Sequence, residues 1–178
     1  MNNIEVEVRT FISKEKYQEL KEFFNKNAKF IKHDNQETHY FDLGEDIRIQ
    51  KNNYFAKIWF KKGKIHDDSR KELEVKFDKE DFNKIAEIFK SINLKTSIKW
   101  FRERYEYKWQ DITVDLDYTR GYGYILELEK LTQESESKKT HKELTEKLKE
   151  LGLEITPKKE FNKQFKYYEN NWKKLIKK

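Results

Sequence analysis

Like charges repeat at alternate positions in several segments of the chain. In "NIEVEVRTF", Glu5 and Glu7 alternate with Ile4, Val6 and Val8. Successive side chains of a strand point to opposite faces, so this segment predicts a strand with one apolar and one charged face. The pattern recurs in later strand-like segments, at Glu72/Glu74, Arg102/Arg104, Asp115/Asp117 and Glu127/Glu129.

The spacing of these pairs suggests a chemistry. Neighbours on one face of a strand lie roughly 6.6 Å apart, so like charges there repel unless a group of opposite sign lies between them. Magnesium prefers hard oxygen ligands and shares them with phosphates, whereas arginine and lysine bind phosphate oxygens. For any single strand, a solvent-facing side is the simpler interpretation. Repetition over many strands makes a metal-assisted site for a triphosphate physically reasonable.

Four helices are predicted to flank the strands. Ser13 and Asp78 are suited to N-caps of the first two. A polar third helix ends near residue 152, and Thr156 followed by Pro157 predicts an N-cap and first helical residue. The final helix, 157–177, is amphipathic and basic, with aromatic residues along one side.

The remaining segments predict antiparallel strands separated by Asn, Gly and Asp turns. Among them, "AKFIKH" and "ETHYFDL" are expected to form two separate strands. The aromatic residues of "IKWFRERYEYKW" are expected to pack under the helices rather than to stack on bases. Without a repeat or linker, the chain is predicted to be a single α+β domain, 1–178.

The net charge of +6 is concentrated at one end. Residues 156–178 contain eight lysines and two acids, which leaves equal numbers of basic and acidic residues in the rest of the chain. A general binder of nucleic acid usually spreads basic charge over a docking face, so this distribution argues against a nucleic-acid partner. The lysines of the final helix could instead draw an anionic substrate towards the site.

The chain has no cysteine, which excludes disulfides and a thiol nucleophile and fits a reducing compartment. No apolar run approaches the length of a membrane span, and the N-terminus lacks the features of a signal peptide. We therefore expect a cytoplasmic protein without a membrane partner, either a monomer or a homodimer.

Four segments in the same order resemble the CYTH domain family, the triphosphate tunnel metalloenzymes. "EVEVR" resembles the ExExK/R signature that opens this domain, and "YFDLGEDIRIQ" is similar to its YFDT…LRIR segment. "RKELEVKF" resembles its R-x-E-x-E strand, and "VDLDYTRGYGYILELE" its closing motif. The resemblance covers roughly residues 3 to 176.

The resemblance implies a closed antiparallel tunnel of about eight strands with flanking helices, and it implies roles for the charged residues. Glu5, Glu7 and Arg9 would be catalytic, together with Glu74 (or Glu72), which would orient the basic phosphate-binding side chains. The implied ligands of Mg²⁺ or Mn²⁺ are Glu5, Glu7, Asp117, Glu127 and Glu129. The implied triphosphate-binding residues are Arg9, Arg48, Lys57, Lys61, Lys62, Arg102 and Arg104.

Two departures from the family pattern bear on substrate choice. Gln50 stands where the third strand usually carries a second arginine after Arg48, and a later Lys-x-Arg is Arg102-x-Arg104 here. Asp115 lies outside the matched motif and is expected to be a structural or rim acid.

The resemblance implies an enzyme, and the favoured hypothesis is a metal-dependent hydrolase of tripolyphosphate or of a nucleoside or other organic triphosphate. Class IV adenylyl cyclase, which converts ATP to cyclic AMP and pyrophosphate, is the alternative within the family. The sequence shows no dedicated adenine pocket, which favours hydrolysis. An RNA 5′-triphosphatase and a non-catalytic module that binds polyphosphate or a nucleotide are further alternatives.

Overall fold

The structure, a computed structural model, describes residues 3–43, 45–62 and 71–177; the side chains of Asn3, Lys61, Lys62, Lys71 and Glu72 lie outside this description. Within these residues the chain forms eight strands and four α-helices. The strands are β1 (Asn3–Ile12), β2 (Lys29–Phe41), β3 (Asp46–Lys51), β4 (Ala56–Lys62), β5 (Lys71–Phe77), β6 (Thr96–Trp109), β7 (Ile112–Thr119) and β8 (Gly123–Gln133). The helices are α1 (Lys14–Asn27), α2 (Phe82–Ser91), α3 (Ser137–Glu150) and α4 (Lys158–Leu175).

The strands are hydrogen-bonded neighbours in the order β1-β8-β7-β6-β2-β3-β4-β5. The predicted α+β class with eight antiparallel strands is therefore confirmed. Closure into a tunnel is not confirmed, because this order ends at β1 and at β5 and no pairing joins these two strands among the residues that the structure describes.

Contacts along the chain define two compact units, which are described separately below. The first unit comprises Met1–His33 and Glu103–Tyr168, and the second comprises Asp34–Arg102 and Glu169–Lys178. The single-domain organisation stays a prediction.

The core of the first unit lies between its strands and the helices α1 and α3. Alternate apolar residues of β1, β7 and β8 pack against α1 and α3 because an amphipathic helix must bury its apolar stripe. Burial of each such side chain contributes about 1.5–3 kcal/mol. Since side chains alternate along a strand, the acids of β1, β7 and β8 at odd positions lie on the opposite face together with Arg9. The buried residues include Val6, Val8, Leu20, Phe24, Val114, Leu116, Leu126, Leu128, Leu144 and Leu148.

The second unit repeats this arrangement around α2. Phe41, Ile49, Ala56 and Phe82 form its buried core. Arg48 lies between Ile47 and Ile49 in the sequence, so its side chain points to the face that does not pack against α2.

Several local predictions can be compared with the structure. Ser13 caps α1, since its hydroxyl accepts a 3.1 Å hydrogen bond from the Lys16 amide. Asp78 caps a short 3₁₀ turn that precedes α2, by accepting a 3.0 Å hydrogen bond from the Glu80 amide. The two strands expected around Asp34 are one continuous strand, β2.

Asp34 explains why β2 does not turn there. Its carboxylate is buried and accepts 3.0 Å hydrogen bonds from the Gln36 side chain and from the Asn53 backbone amide. The polar residues that suggested a turn are therefore used to bind a neighbouring loop. No helix among the described residues has the length and apolar character needed to span a membrane.

Candidate active site

Three strands of the first unit place their charged residues in register. Glu7 of β1 lies opposite Glu129 of β8, and Arg9 lies opposite Glu127. On the other side of β8, Glu127 lies opposite Asp115 of β7. Directly opposed residues have Cβ atoms about 4.5–5.5 Å apart, so two of these pairs bring carboxylates together.

The carboxylates form two overlapping groups that share Glu129. Ligand oxygens of Glu5, Glu7 and Glu129 all lie within 4.8 Å of one another, as do those of Asp115, Glu127 and Glu129. Hard carboxylate oxygens contributed by two or three different strands suit Mg²⁺ or Mn²⁺. The donor set therefore fits the predicted divalent cation.

Arg104 of β6 is bound by three carboxylates. Its Nε and Nη2 donate to the two oxygens of Asp117, at 2.7 and 2.6 Å, and Nη2 also donates to Glu127 at 2.7 Å. Nη1 forms an ion pair with Asp115. The Arg104 side chain is only 15% exposed, and those of Asp115 and Asp117 are 2% exposed. Each nitrogen of the guanidinium group thus contacts a carboxylate.

The close approach of charged groups in the site shifts the pKa values of Arg104 and Glu129. Burial lowers the pKa of Arg104, but attraction to Asp117 and Asp115 outweighs it, and the pKa lies well above its ordinary value. Burial, followed by repulsion from Asp115, Glu127 and Glu5, raises the pKa of Glu129 from its ordinary 4.5 to about 9. Without a bound cation, Glu129 would therefore hold a proton at neutral pH.

Arg9 is positioned by the start of helix α4. Its guanidinium carbon lies 4.6 Å from the centre of the Phe161 ring, while Nη1 lies 3.8 Å from Glu7 and 3.9 Å from Glu127. Phe161 also stacks on Phe11, with ring centres 4.4 Å apart. An arginine that lies over an aromatic ring is held in a restricted orientation while its nitrogens remain able to donate.

Thr156 attaches the segment before α4 to β1. Its hydroxyl accepts a 3.0 Å hydrogen bond from the Phe11 amide and lies 2.9 Å from the Thr10 hydroxyl. The residue expected as an N-cap thus bonds to a strand.

A recess opens beside the first carboxylate group. It is lined by Glu5, Lys108, Asp111, Thr113, Glu129, Lys130 and Leu131. Lys130 is held by 2.7 Å ion pairs to Asp111 and Glu143. The recess leaves Glu5 and Glu129 accessible to a small ion.

In the second unit, Arg48 is fixed by an acid and two rings. Its Nε and Nη2 donate to the two oxygens of Asp46, at 2.6 and 2.5 Å. Its guanidinium carbon lies 4.3 Å from the centre of the Tyr40 ring and 4.9 Å from that of Trp59. The Arg48 guanidinium group is therefore held in one orientation by Asp46 and the two rings.

Lys57 and Glu74 form the second charged contact of this unit. Lys57 Nζ donates to Glu74 at 2.7 Å and lies 4.1 Å from the centre of the Trp59 ring. The hydrogen bond from Lys57 lowers the pKa of Glu74 below its ordinary value. Glu74 also lies 3.6 Å from the exposed Lys76, which is directly opposite Lys57 on the neighbouring strand. This geometry is compatible with Glu74 orienting Lys57.

Arg102 contacts a neutral side chain, in contrast to Arg104. Its Nε and Nη2 donate to the Gln36 side-chain oxygen at 2.9 and 2.7 Å. Gln50, which replaces an expected arginine, donates to the Thr38 hydroxyl at 2.9 Å.

The predicted site residues are thus divided between the two units. The first unit brings together Glu5, Glu7, Arg9, Arg104, Asp117, Glu127 and Glu129. The second unit contains Arg48, Lys57, Glu74 and Arg102. The Lys61, Lys62 and Glu72 side chains lie outside the described residues.

Sequence reasoning missed three contributors, Asp46, Trp59 and Tyr40. Asp46 and Trp59 share the strand faces of Arg48 and Lys57, and alternation alone could have identified them. Tyr40 lies opposite Arg48, which only the register of the sheet shows. Asp115 is buried against Arg104, in agreement with its structural role but not with a position at the rim.

The fold is α+β, and the charged face of the first unit brings together carboxylates that can hold a divalent cation. The family model for the CYTH domain matches residues 3–159, so the chain belongs to the CYTH domain family. Enzymes of this family depend on divalent metal ions, in agreement with the clustered carboxylates.

Relatives are consistent with this assignment. A Methanocaldococcus jannaschii protein with the name "Putative adenylate cyclase MJ0240" is 34% identical over 163 residues, which cover 84% of this chain and 90% of that protein. The PH1012 protein of Pyrococcus horikoshii has a solved structure with a TM-score of 0.69 and 26% identity, which covers 87% of this chain and 96% of that one. A Vibrio parahaemolyticus structure, described as a "putative adenylate cyclase", has a TM-score of 0.65 at 13% identity over 90% of this chain and 98% of that one, and so shows the fold alone.

Proposed function

We propose that this chain is a divalent-metal-dependent enzyme that hydrolyses a triphosphate, either inorganic tripolyphosphate or a nucleoside or other organic triphosphate. The observation that carries the proposal is the group formed by Glu5, Glu7 and Glu129, whose ligand oxygens lie within 4.8 Å of one another beside an open recess. Membership of the CYTH family supports it.

Glu5, Glu7 and Glu129 would hold Mg²⁺ or Mn²⁺, and Asp117 and Glu127 are the remaining acids of the predicted set. When bound, the cation would neutralise charge on the phosphoryl group and lower the pKa of the attacking water. The protein's own contribution is to keep these carboxylates close together in a partly buried site, where electrostatic interactions are stronger than in water.

The basic residues would hold the phosphate chain. In this proposal Arg9 binds phosphate next to the acids, and Arg48, Lys57 and Arg102 bind the rest of the chain. Lys61, Lys62 and Arg104 complete the predicted set. Glu74 supports Lys57 through their hydrogen bond of 2.7 Å. A closed tunnel around the substrate, a cytoplasmic location and a monomeric or homodimeric state also belong to this proposal.

A substrate panel tests the proposed function. The purified chain is incubated with tripolyphosphate, ATP, GTP or thiamine triphosphate in the presence of Mg²⁺ or Mn²⁺, and phosphate products are identified by ³¹P NMR. We expect release of orthophosphate that stops in chelator and in Glu7→Gln. Tight binding of a triphosphate without turnover would instead identify a binding module and contradict the proposal.

Adenylyl cyclase activity is a second candidate. The 34%-identical relative carries that activity in its name, and the match covers 90% of that protein.

In the cyclase reaction, the ribose 3′-oxygen forms a bond to the α-phosphorus and loses its proton to a base. The bond from the α-phosphorus to the bridging oxygen breaks, and pyrophosphate leaves. The same ATP incubation separates the two candidates, because the cyclase yields cyclic AMP and pyrophosphate while the hydrolase yields ADP and phosphate.

A further inference from the structure

The two carboxylate groups of the first unit differ in the cations that they already contact. Glu127 and Asp115 of the second group both bind Arg104, at 2.7 Å for Glu127. In the first group, Glu7 lies 3.8 Å from Arg9, whereas neither Glu5 nor Glu129 forms an ion pair with a basic side chain in the part of the chain that the structure describes.

The geometry of Arg104 leaves little room for a second cation. Nη1 contacts Asp115 Oδ2 and Nη2 contacts Glu127 Oε2, so a positive charge already lies against two of the three carboxylates of this group and would repel a second cation. Asp117 fixes this position through two parallel hydrogen bonds, of 2.7 and 2.6 Å. Bidentate pairs of this kind are among the strongest charge-assisted hydrogen bonds in proteins.

We infer that Arg104 is a built-in counterion for the group Asp115, Asp117 and Glu127, and that the chain consequently binds one divalent cation, at Glu5, Glu7 and Glu129, rather than two. The inference rests on the metal dependence of the proposed function. It makes Arg104 a positioning residue, whereas the family resemblance implied a phosphate-binding one. Asp117 and Glu127 become ligands of Arg104.

Counting bound Mn²⁺ tests the inference without any measurement of turnover. The full-length chain is titrated with Mn²⁺ at pH 7.5, and free Mn²⁺ is followed by electron paramagnetic resonance. We expect one Mn²⁺ per wild-type chain and two per chain of Arg104→Met, which keeps a long side chain but removes the charge. Arg102→Met is the matched control, because Arg102 lies on the same strand and contacts Gln36; it should bind one.

A second pair of variants tests the inference even if Arg104→Met does not fold. Glu5→Gln should weaken Mn²⁺ binding by about tenfold or more, as expected when a metal site loses a charged ligand. Glu127→Gln should change the affinity by less than about threefold, since Glu127 is not a ligand in this arrangement. Circular dichroism establishes that each variant is folded.

The outcomes separate this inference from the proposed function. Two Mn²⁺ ions in the wild type, one of them lost in Glu127→Gln, would overturn the role of Arg104 even if triphosphate turnover is observed. One Mn²⁺ in the wild type and two in Arg104→Met would support it even if no substrate in the panel is turned over. Failure of the wild type to bind Mn²⁺ would overturn both.

Discussion

Glu7 of β1 and Glu129 of β8 lie directly opposite each other in the antiparallel ladder, on the face that points away from α1 and α3. Opposed like charges destabilise a strand pair, and Glu5 adds a third carboxylate to the same group. The strands tolerate this arrangement because the reverse faces bury a continuous apolar core. For this pair and the neighbouring Arg104 we predict the pH dependence of stability, the release of a proton on metal binding, and the loss of stability when Arg104 is removed.

The first prediction concerns stability without metal. Because the folded pKa of Glu129 is about 9 and its ordinary value is 4.5, the folded state binds the proton more tightly. The contribution of Glu129 to the free energy of unfolding is fully present below about pH 4.5 and is lost as the pH rises to about 9. Glu129→Gln should therefore gain stability relative to the wild type over this range, by on the order of a few kcal/mol at pH 9.

Urea unfolding in chelator at pH 5, 7 and 9 measures this difference. Glu22→Gln, on the exposed side of α1, is the control and should show no such trend. If the free energies of unfolding of Glu129→Gln and the wild type differ by the same amount at all three pH values, the pKa of Glu129 is not raised and the prediction is wrong.

The second prediction is that metal binding releases a proton. At pH 7 Glu129 is protonated, and a carboxylate must lose its proton to coordinate a cation. Calorimetric titration with Mn²⁺ in buffers of different ionisation enthalpy should show about one proton released per ion. Glu129→Gln should release none, and an unchanged proton count in that variant would assign the proton to another group.

The third prediction concerns the cost of removing Arg104. Arg104→Ala leaves the buried Asp115 and Asp117 without their guanidinium partner, and loss of one partner of a buried ion pair costs about 3–5 kcal/mol. Arg102→Ala removes the hydrogen bonds to the neutral Gln36 side chain and should cost about 1 kcal/mol. Guanidinium chloride unfolding at pH 7 compares the two, and equal losses would contradict the difference in their surroundings.

The fourth prediction compares two lysines that share Glu74. Lys57 is held at 2.7 Å beside Trp59, whereas Lys76 is 60% exposed and lies 3.6 Å from the same carboxylate. Lys57→Met should weaken triphosphate binding by about tenfold, equivalent to about 1.4 kcal/mol. Lys76→Met should weaken it by less than about twofold, because an exposed ammonium group is screened by water and contributes little.

Fluorescence or calorimetric titration with tripolyphosphate at fixed ionic strength provides the comparison. If both variants lose affinity equally, general attraction by positive charge, rather than the position of Lys57, would explain binding.

Much of the charged face was predictable because strand alternation is strict. Parity predicted that Glu5 and Glu7 share one face of their strand and that Glu127 and Glu129 share one face of theirs, and the family resemblance implied a common metal site. The register of β1 with β8, which places Glu7 opposite Glu129, agrees. Alternation should also have shown that Trp100 lies on the same strand face as Arg102, and not on that of the buried Tyr107 and Trp109. The ring centre of Trp100 is 6.4 Å from that of Tyr40.

The partners of the charged residues were not predictable from alternation. Parity says which side of a strand a residue occupies, but the bond between Arg104 and Asp117 depends on how β6 is placed beside β7, which is decided by packing of the whole sheet. Asp34 illustrates the same limit, since its turn-like sequence is overridden by a hydrogen bond to Asn53.

The Thr10–Thr156 contact joins positions 146 residues apart in the sequence. Closing so long a segment is entropically costly, so contacts of this kind slow folding and form late. The surroundings of Arg9 therefore depend on the last helix of the chain as well as on the first strand. During translation, a ribosome must synthesise the chain as far as Phe161 before this arginine acquires its aromatic neighbour.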